Sequence, residues 1–114
     1  MASKILRIYL PISAKVKGER SFWQKLFGSS LGGHLAKEAK AFGIEQALIQ
    51  RTFAGYLKGQ NLAYDISEVT PENFPQCIEL LDSEERLRAF IDKERLQLLG
   101  CRAYLFQTAE LVAT

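Results

Sequence analysis

The sequence predicts an α+β fold, and three observations favour it. The chain contains short runs in which every second residue is apolar, which is typical of strands. It also contains two longer segments whose apolar residues recur every three or four positions, which is typical of helices. Along the chain these segments follow the order strand, helix, strand, long loop, strand, helix, strand. The composition is that of a globular domain, with 47% hydrophobic and 25% charged residues. We therefore expect a single domain over residues 1–114.

The first strand is predicted over residues 4–11, because Leu6, Ile8 and Leu10 alternate with other side chains and a proline ends the run. The first helix is predicted from residue 31 onwards, and Gly43 is well placed to follow its last turn. The apolar stripe of this helix has spacings of four, four and three residues, and it consists of Leu31, Leu35, Ala39 and Phe42.

The second strand is predicted over residues 44–56 and the third over residues 74–81, where apolar residues again alternate or run together. Between them, residues 58–73 show no strong periodicity and contain glycine, proline and several polar side chains. A loop of this length is uncommon in a compact domain and is often functional.

The second helix is predicted to begin at Asp82 or Ser83, because Asp82 and Glu85 have the spacing of a capping box, and to end at Gly100. Residues 102–108 then form the fourth strand. The elements make two strand–helix–strand halves, which is the ferredoxin-like βαββαβ arrangement. We expect an antiparallel four-stranded sheet with two helices on one face and with the first and third strands at its centre.

Several functional classes are disfavoured by composition. The net charge of +2 is too small and too evenly spread to predict a nucleic-acid interface. With one histidine, no metal site is predicted, and we interpret His34 as a solvent-facing or capping residue. Cys77 and Cys101 are expected to be buried reduced thiols, and a disulfide between them is the alternative. No apolar run has the length of a signal peptide core or a membrane span, so we expect a cytoplasmic protein.

Cationic residues gather near the predicted strand ends. In the predicted topology, a trimer can bring the end of one copy's second strand near a neighbour's fourth strand, where cations would converge on a phosphate. Solvated surface charges are the alternative interpretation for each of them. The glycine-rich residues 28–33 precede a helix and form either an anion site or a flexible break. The cations are Lys15, Lys17, Arg20, Arg51, Lys58 and Arg102.

Four stretches together resemble one known family. They are KILRIYL at the start, AKEAKAFGI at the end of the first helix, RTFAGY after the second strand and PQCIELLDSEERL at the third. Their order and spacing resemble the PII-like signalling proteins, in the branch catalogued as domain-of-unknown-function family 190. The resemblance covers most of residues 4–108. Against that family, residues 20–32 look like an insertion, and the phosphate-binding glycine loop of true PII proteins has no counterpart.

The resemblance implies a homotrimer and a flexible loop between the second and third strands, here residues 57–73, which corresponds to the T-loop of PII proteins. It implies a regulatory protein, not an enzyme, that binds an adenine nucleotide (AMP, ADP or ATP) between subunits. Such a protein acts through its loop on a membrane transporter or an enzyme. Gly55 and Tyr56 would stand at the base of the loop, and Arg102 where PII proteins place a cation.

The predicted ligand-binding residues are therefore Lys15, Lys17, Arg20, Arg51, Gly55, Tyr56, Lys58 and Arg102. Two other functions remain open at this point. One is a ferredoxin-like dimeric-barrel enzyme with a pocket under the sheet, lined by aromatic residues and His34. The other is a ligand-free adaptor or structural trimer whose contact patch contains Phe22, Trp23 and Phe27.

Overall fold

The computed structural model of the protein describes residues 3–18, 30–64, 74–107 and 109–113. Strands and helices follow one another in the order that the sequence predicts, with one additional pair of short strands. They are β1 (Ser3–Pro11), α1 (Leu31–Phe42), β2 (Gln46–Arg51), β3 (Ala54–Gly55), β4 (Ala63–Tyr64), β5 (Pro75–Ser83), α2 (Glu84–Lys93) and β6 (Arg102–Phe106).

The main sheet has the strand order β2-β5-β1-β6, and every neighbouring pair is antiparallel. The first and third long strands, β1 and β5, are therefore central, as the ferredoxin-like topology requires. Both helices pack on one face, because side chains from α1 and α2 share one core cluster with alternate residues of β1 and β5. The α+β ferredoxin-like prediction is confirmed.

The core lies between the helices and this covered face. Leu6, Ile8 and Leu10 are at most 1% exposed, which follows from the alternation of side chains along β1. Leu35 of α1 and Phe90 of α2 are fully buried in the same cluster as these three β1 residues. Burial of each such side chain stabilises the fold by about 1.5–3 kcal/mol.

The opposite face of the sheet, which we call the open face, carries no helix in the described part of the chain. Arg7 lies at its centre, with its guanidinium carbon 4.9 Å from the Phe106 ring centroid and its Nε 3.7 Å from a carboxylate oxygen of Glu79. Leu48, Tyr104 and Phe106 remain 45%, 50% and 40% exposed in the single chain. Apolar area on this face is thus available for contact with another surface.

Both ends of α1 are capped, and the predicted place of Gly43 after the last turn is confirmed. Ser30 is the N-cap, and its Oγ accepts a hydrogen bond from the backbone N–H of Gly33. Gly43 follows the helix with φ +88°, a left-handed conformation that glycine adopts without strain, and its N–H donates to Ala39 and Lys40 carbonyls.

The predicted capping box at the start of α2 is wrong. Ser83 is the N-cap, because its Oγ accepts from the N–H of Arg86 at 3.3 Å. The Asp82 carboxylate instead accepts from the backbone N–H of Ser83 at 2.7 Å and of Glu45 at 3.0 Å. Asp82 thus fixes the turn between α1 and β2, and it also contacts the Arg86 side chain of α2 at 3.4 Å.

The second strand is shorter than predicted. Its pairing with β5 ends at Arg51, which lies opposite Gln76. The next position along the ladder would face Pro75, which has no backbone N–H to donate. Thr52 ends the strand with a hydroxyl hydrogen bond to the Pro75 carbonyl at 3.1 Å. The chain then forms a separate hairpin of β3 and β4 within residues predicted as strand and loop.

The second helix also ends before Gly100, because its last residue is Lys93 and tight turns occupy residues 94–100. The carboxylate of Glu94, buried beside α1, stands where the helix stops. Leu98 lies beyond the end of the helix but still packs against the core. The fourth strand ends at Phe106, and Thr108 lies outside the described residues.

Parts of four predictions fall outside the described residues. The proposed insertion at residues 20–32 has only its last three residues described, and these are the start of α1 and its cap. Arg20 and the aromatic patch lie in the undescribed part. Residues 65–73 of the predicted loop do as well, whereas residues 57–64 are seen. No helix of the described chain is long and apolar enough to cross a bilayer.

Candidate functional site

A cleft of about 430 Å³ lies at one end of the open face. Three parts of the chain wall it, namely the turn that follows β3, the end of β1, and the start of β6 with the glycine before it. The lining residues are Tyr9, Pro11, Tyr56, Leu57, Lys58, Gln60, Gly100, Arg102 and Tyr104.

The sheet register builds one side of the cleft. Tyr9 of β1 stands directly opposite Arg102 of β6, and opposed residues of an antiparallel pair point to the same face. The Tyr9 and Tyr104 rings meet edge to face, with centroids 6.0 Å apart and an interplanar angle of 67°. The cleft therefore has a wall of aromatic rings with a guanidinium beside them.

A tight turn builds the other side. The N–H of Gln60 donates to the Leu57 carbonyl at 3.0 Å, and Gly59 has φ +84° at the third position of this four-residue turn. A positive φ at that position defines a type II turn, which favours glycine. Lys58 and Gln60, on either side of the glycine, both line the cleft. The turn lies between β3 and β4, and the pairing of these two short strands holds its ends together.

The charge of the cleft is positive. Lys58 and Arg102 line it, and no carboxylate from the described part of the chain does. Neither cation has an ion-pair partner within 4.0 Å among the described residues. Arginine binds phosphate or carboxylate oxygens through two parallel hydrogen bonds, and lysine adds a compact charge. Together with the tyrosine rings, they suit an anion that carries a planar group.

The structure brings together Tyr56, Lys58 and Arg102 from the predicted set, and Gly55 precedes them in β3. These residues meet within one chain, whereas the sequence led us to expect the ends of the second and fourth strands to meet between subunits. Their role in ligand binding stays a prediction.

Other predicted cations lie away from this cleft. Lys17 is tied to Gln97, because its N–H donates to Oε1 at 2.7 Å and its ammonium to the carbonyl oxygen at 2.9 Å. Lys15 forms an isolated antiparallel backbone bridge with Ser30, beside the start of α1. Its side chain is exposed. Arg51 is exposed at the end of β2. In a single chain these three cations do not converge with Arg102.

Sequence reasoning missed Tyr9, Gln60, Gly100 and Tyr104. A signal for two of them was present. Tyr9 alternates with the buried residues of the first strand, and Tyr104 lies on the same face of the sheet in the fourth strand. Gln60 and Gly100 had no such signal, since both lie in irregular segments whose course depends on tertiary contacts.

His34 does not occupy the position that we predicted. It is neither solvent-facing nor capping, because its Nε2 lies 2.9 Å from Oε1 of Glu94, and the two side chains are 25% and 7% exposed. The pair joins the two helices and is not part of the cleft lining. The enzyme hypothesis, which required His34 in a pocket beneath the sheet, receives no support from this position.

The two described glycines of the glycine-rich residues 28–33, Gly32 and Gly33, lie in the first turn of α1, and residues 28 and 29 lie outside the described residues. Gly33 has its N–H capped by Ser30, and a Cβ on Gly32 would stand 2.8 Å from Nε2 of the buried Gln76. Glycine at residue 32 therefore lets the first turn of α1 approach β5 closely.

Both cysteines are free thiols, Cys77 buried and Cys101 half-buried. Burial raises the pKa of each thiol, which leaves less of the reactive thiolate at neutral pH. Among the described residues, no group of three or more His, Cys, Asp and Glu side chains could hold a metal ion.

The comparison with protein families decides the assignment. The model of domain-of-unknown-function family 190, described as an uncharacterised ACR family, matches residues 3–99. The chain belongs to this family. The match in this family 190 chain ends just before Arg102, so the β6 wall of the cleft lies beyond the matched stretch. No curated protein matches the chain.

Solved structures with PII-like folds resemble this family 190 protein over most of their length. A protein of Thermus thermophilus, assigned to PII-like signalling, has a TM-score of 0.56 and 18% identity, with 90% of this chain and 83% of that chain covered. CPII, a nitrogen regulatory PII-like protein of Thiomonas intermedia bound to ADP, AMP and bicarbonate, has a TM-score of 0.51 and 13% identity, covering 91% of this chain and 81% of that chain. The family 190 chain therefore has the PII-like fold.

Proposed function

We propose that this family 190 protein is a PII-like regulatory subunit, not an enzyme, that binds an adenine nucleotide (AMP, ADP or ATP) in the cleft between the hairpin turn and β6. The phosphate lies against Lys58 and Arg102, and the planar base lies against the tyrosine rings. The loop over residues 57–73, with Gly55 and Tyr56 at its base, then controls a partner, such as a membrane transporter or an enzyme. Such control requires that the nucleotide bind two loop conformations with different affinity.

One observation carries the proposal. Tyr56 stands at the base of the loop, Lys58 lies within the loop, Arg102 belongs to the sheet, and all three line one cleft. A ligand that touches both walls gains its full set of contacts only while the turn stands against the sheet. Ligand binding and loop position are therefore physically linked. The ADP and AMP bound to the similar PII-like protein of Thiomonas intermedia support adenine nucleotides as the ligand class.

We also propose that three copies assemble through the open face of the sheet. Its exposed apolar side chains offer area whose burial stabilises an assembly by roughly 25 cal/mol per Å². Lys15, Lys17, Arg20 and Arg51 then contribute to a binding site only where a neighbouring copy brings them to the cleft. Light scattering on the purified protein should give three times the chain mass. A monomer at micromolar concentration would contradict this part of the proposal.

Nucleotide binding is tested by titration calorimetry with AMP, ADP and ATP. Lys58→Ala and Arg102→Ala should each weaken the affinity about tenfold, since a hydrogen bond to a charged group contributes about 1.5–3 kcal/mol. Lys40→Ala is the matched control, because it removes the same charge from an exposed position on α1 and should leave the affinity unchanged. Absence of binding at millimolar nucleotide, or equal affinities for all variants, would overturn the proposal.

A further inference from the structure

The β3–β4 hairpin carries three large apolar side chains that are exposed in the single chain. Phe53, Leu62 and Tyr64 are 71%, 53% and 49% exposed, and we call them the hairpin patch. The hairpin is a sheet of its own, separate from the main sheet. None of the three side chains is among those that line the cleft, so nucleotide binding leaves them unexplained. Exposed apolar patches typically mark surfaces that contact a protein or a membrane.

The ladder between β3 and β4 shows which side of the hairpin faces outward. Gly55 and Ala63 are opposed and point to one side, whereas Ala54 and Tyr64 point to the other. A Cβ on Gly55 would meet Cγ of Pro75 at 3.7 Å, so the Gly55 side faces the main sheet. Tyr64 therefore lies on the side that faces away from the main sheet, where its ring is available to another surface.

The charges of this part of the chain have one sign. From residue 46 to residue 64 the sequence contains the cations Arg51 and Lys58 and no carboxylate, and the nearest carboxylates along the chain are Glu45 and Asp65. Both cations are exposed. Neither has an ion-pair partner within 4.0 Å in the described part of the chain. The local charge is positive, which favours a partner surface that carries negative charge.

An anionic bilayer suits both the apolar side chains and the charges. Aromatic and leucine side chains enter the boundary between headgroups and acyl chains, and lysine or arginine beside them binds the anionic headgroups. Tyrosine fits this boundary because its ring is apolar and its hydroxyl remains in water. A lipid surface has no fixed shape, so a two-stranded hairpin can bind it without a matching groove on the partner.

We infer that the hairpin patch, together with Arg51, binds the surface of an anionic lipid bilayer. This inference goes beyond nucleotide binding and does not depend on it, because none of the four side chains is part of the cleft lining. Few apolar side chains and few charges contribute, so the binding is reversible and weakens as the salt concentration rises.

Co-sedimentation of the full chain with lipid vesicles tests the apolar part of the inference. The wild type should bind vesicles of phosphatidylcholine and phosphatidylserine at least about tenfold more tightly than vesicles of phosphatidylcholine alone. Leu62→Ser should weaken binding to the mixed vesicles about tenfold, because a polar side chain replaces the inserted leucine. Leu99→Ser is the matched control, since Leu99 is 59% exposed on the turn before β6 and should be neutral for binding.

A second pair of variants tests the charge. Arg51→Gln should weaken binding to the mixed vesicles about fivefold and leave binding to neutral vesicles unchanged. Lys40→Gln, which removes a charge from an exposed position on α1, should change neither. Thermal unfolding establishes that each variant is folded, and light scattering establishes that it keeps the mass of the wild type.

The vesicles contain lipid alone, so binding to them cannot be attributed to a membrane protein. Absence of binding, or equal binding to neutral and mixed vesicles, overturns the inference. So does an equal loss in Leu62→Ser and Leu99→Ser. A lower oligomer mass for Leu62→Ser also overturns it, because the patch would then be a contact between copies. Leu62→Ser should keep wild-type nucleotide affinity, so failure of lipid binding and failure of nucleotide binding are separate results.

Discussion

Nε2 of His34 lies 2.9 Å from Oε1 of Glu94, and this contact joins α1 to the residue at which α2 ends. A carboxylate only accepts hydrogen bonds, so the imidazole nitrogen is the donor. The Glu94 side chain is 7% exposed, and its other oxygen lies 3.4 Å from the Lys93 ammonium. The pair satisfies a nearly buried charge, which makes it a structural element of the helical layer.

Removal of the histidine should therefore destabilise the fold. His34→Ala leaves the Glu94 carboxylate with one partner fewer, and we expect a loss of about 1–3 kcal/mol in the free energy of unfolding. Urea denaturation followed by circular dichroism measures this change. Lys37→Ala, an exposed position on the same helix, is the control and should change stability by less than about 0.5 kcal/mol. Equal stability of His34→Ala and the wild type would show that the pair contributes nothing.

Two adjacent glycines in α1 should respond in opposite directions to alanine. Gly32→Ala places a methyl group 2.8 Å from Nε2 of the buried Gln76, so we expect a loss of about 1–3 kcal/mol. Gly33→Ala meets only Ser30 atoms at 3.9 Å, and the higher helix propensity of alanine should stabilise by up to about 1 kcal/mol. Thermal unfolding of the two variants side by side checks this order, and a Gly32→Ala variant as stable as Gly33→Ala would contradict it.

The ion pair between Glu38 of α1 and Lys93 of α2, 2.8 Å apart, should contribute to stability only between two pH limits. The hydrogen bond from Lys93 lowers the pKa of Glu38, and the same bond raises the pKa of Lys93. The Glu38 contribution is thus lost as pH falls through its lowered pKa, and the Lys93 contribution as pH rises through its raised pKa.

A double-mutant cycle with Glu38→Gln and Lys93→Met measures this coupling. At neutral pH we expect roughly 0.2–1 kcal/mol, because the side chains are 35% and 41% exposed and solvent screens them. The coupling should disappear in acid, below the lowered pKa of Glu38, and in strong base. A coupling that is unchanged in acid would mean that packing, and not charge, joins the two side chains.

The turn at Gly59 should matter for binding as well as for stability. Gly59→Ala meets no atom within 4 Å, so its cost is the strain of a positive φ, about 1–2 kcal/mol. The strained turn should also present Lys58 and Gln60 less well, which weakens nucleotide affinity. Gly59→Asn is the control, since asparagine tolerates this conformation better and should retain more of both properties. Calorimetry and thermal unfolding measure them, and an alanine variant identical to the wild type would refute the turn's role.

The sequence alone determined the order of the main elements, the central position of the first and third strands, and the buried face of β1. These features follow from the alternation of Leu6, Ile8 and Leu10 and from the apolar stripe of α1, which are local patterns with a fixed period. The cap at Gly43 could be predicted for the same reason, since a left-handed residue favours glycine. Lys58 and Arg102 were identified as candidates from their places near strand ends.

Tertiary structure decided where α2 stops, how the hairpin forms and which cations meet. Glu94, the residue at which α2 ends, contacts His34, which lies sixty positions away along the chain. The β2 ladder ends opposite Gln76, because the next residue available for pairing is Pro75 of another strand. The cleft exists because the turn at Gly59 lies against β6, which joins residues about forty positions apart. Contacts between distant residues depend on packing geometry that no local period records, so the folded chain was needed to reveal them.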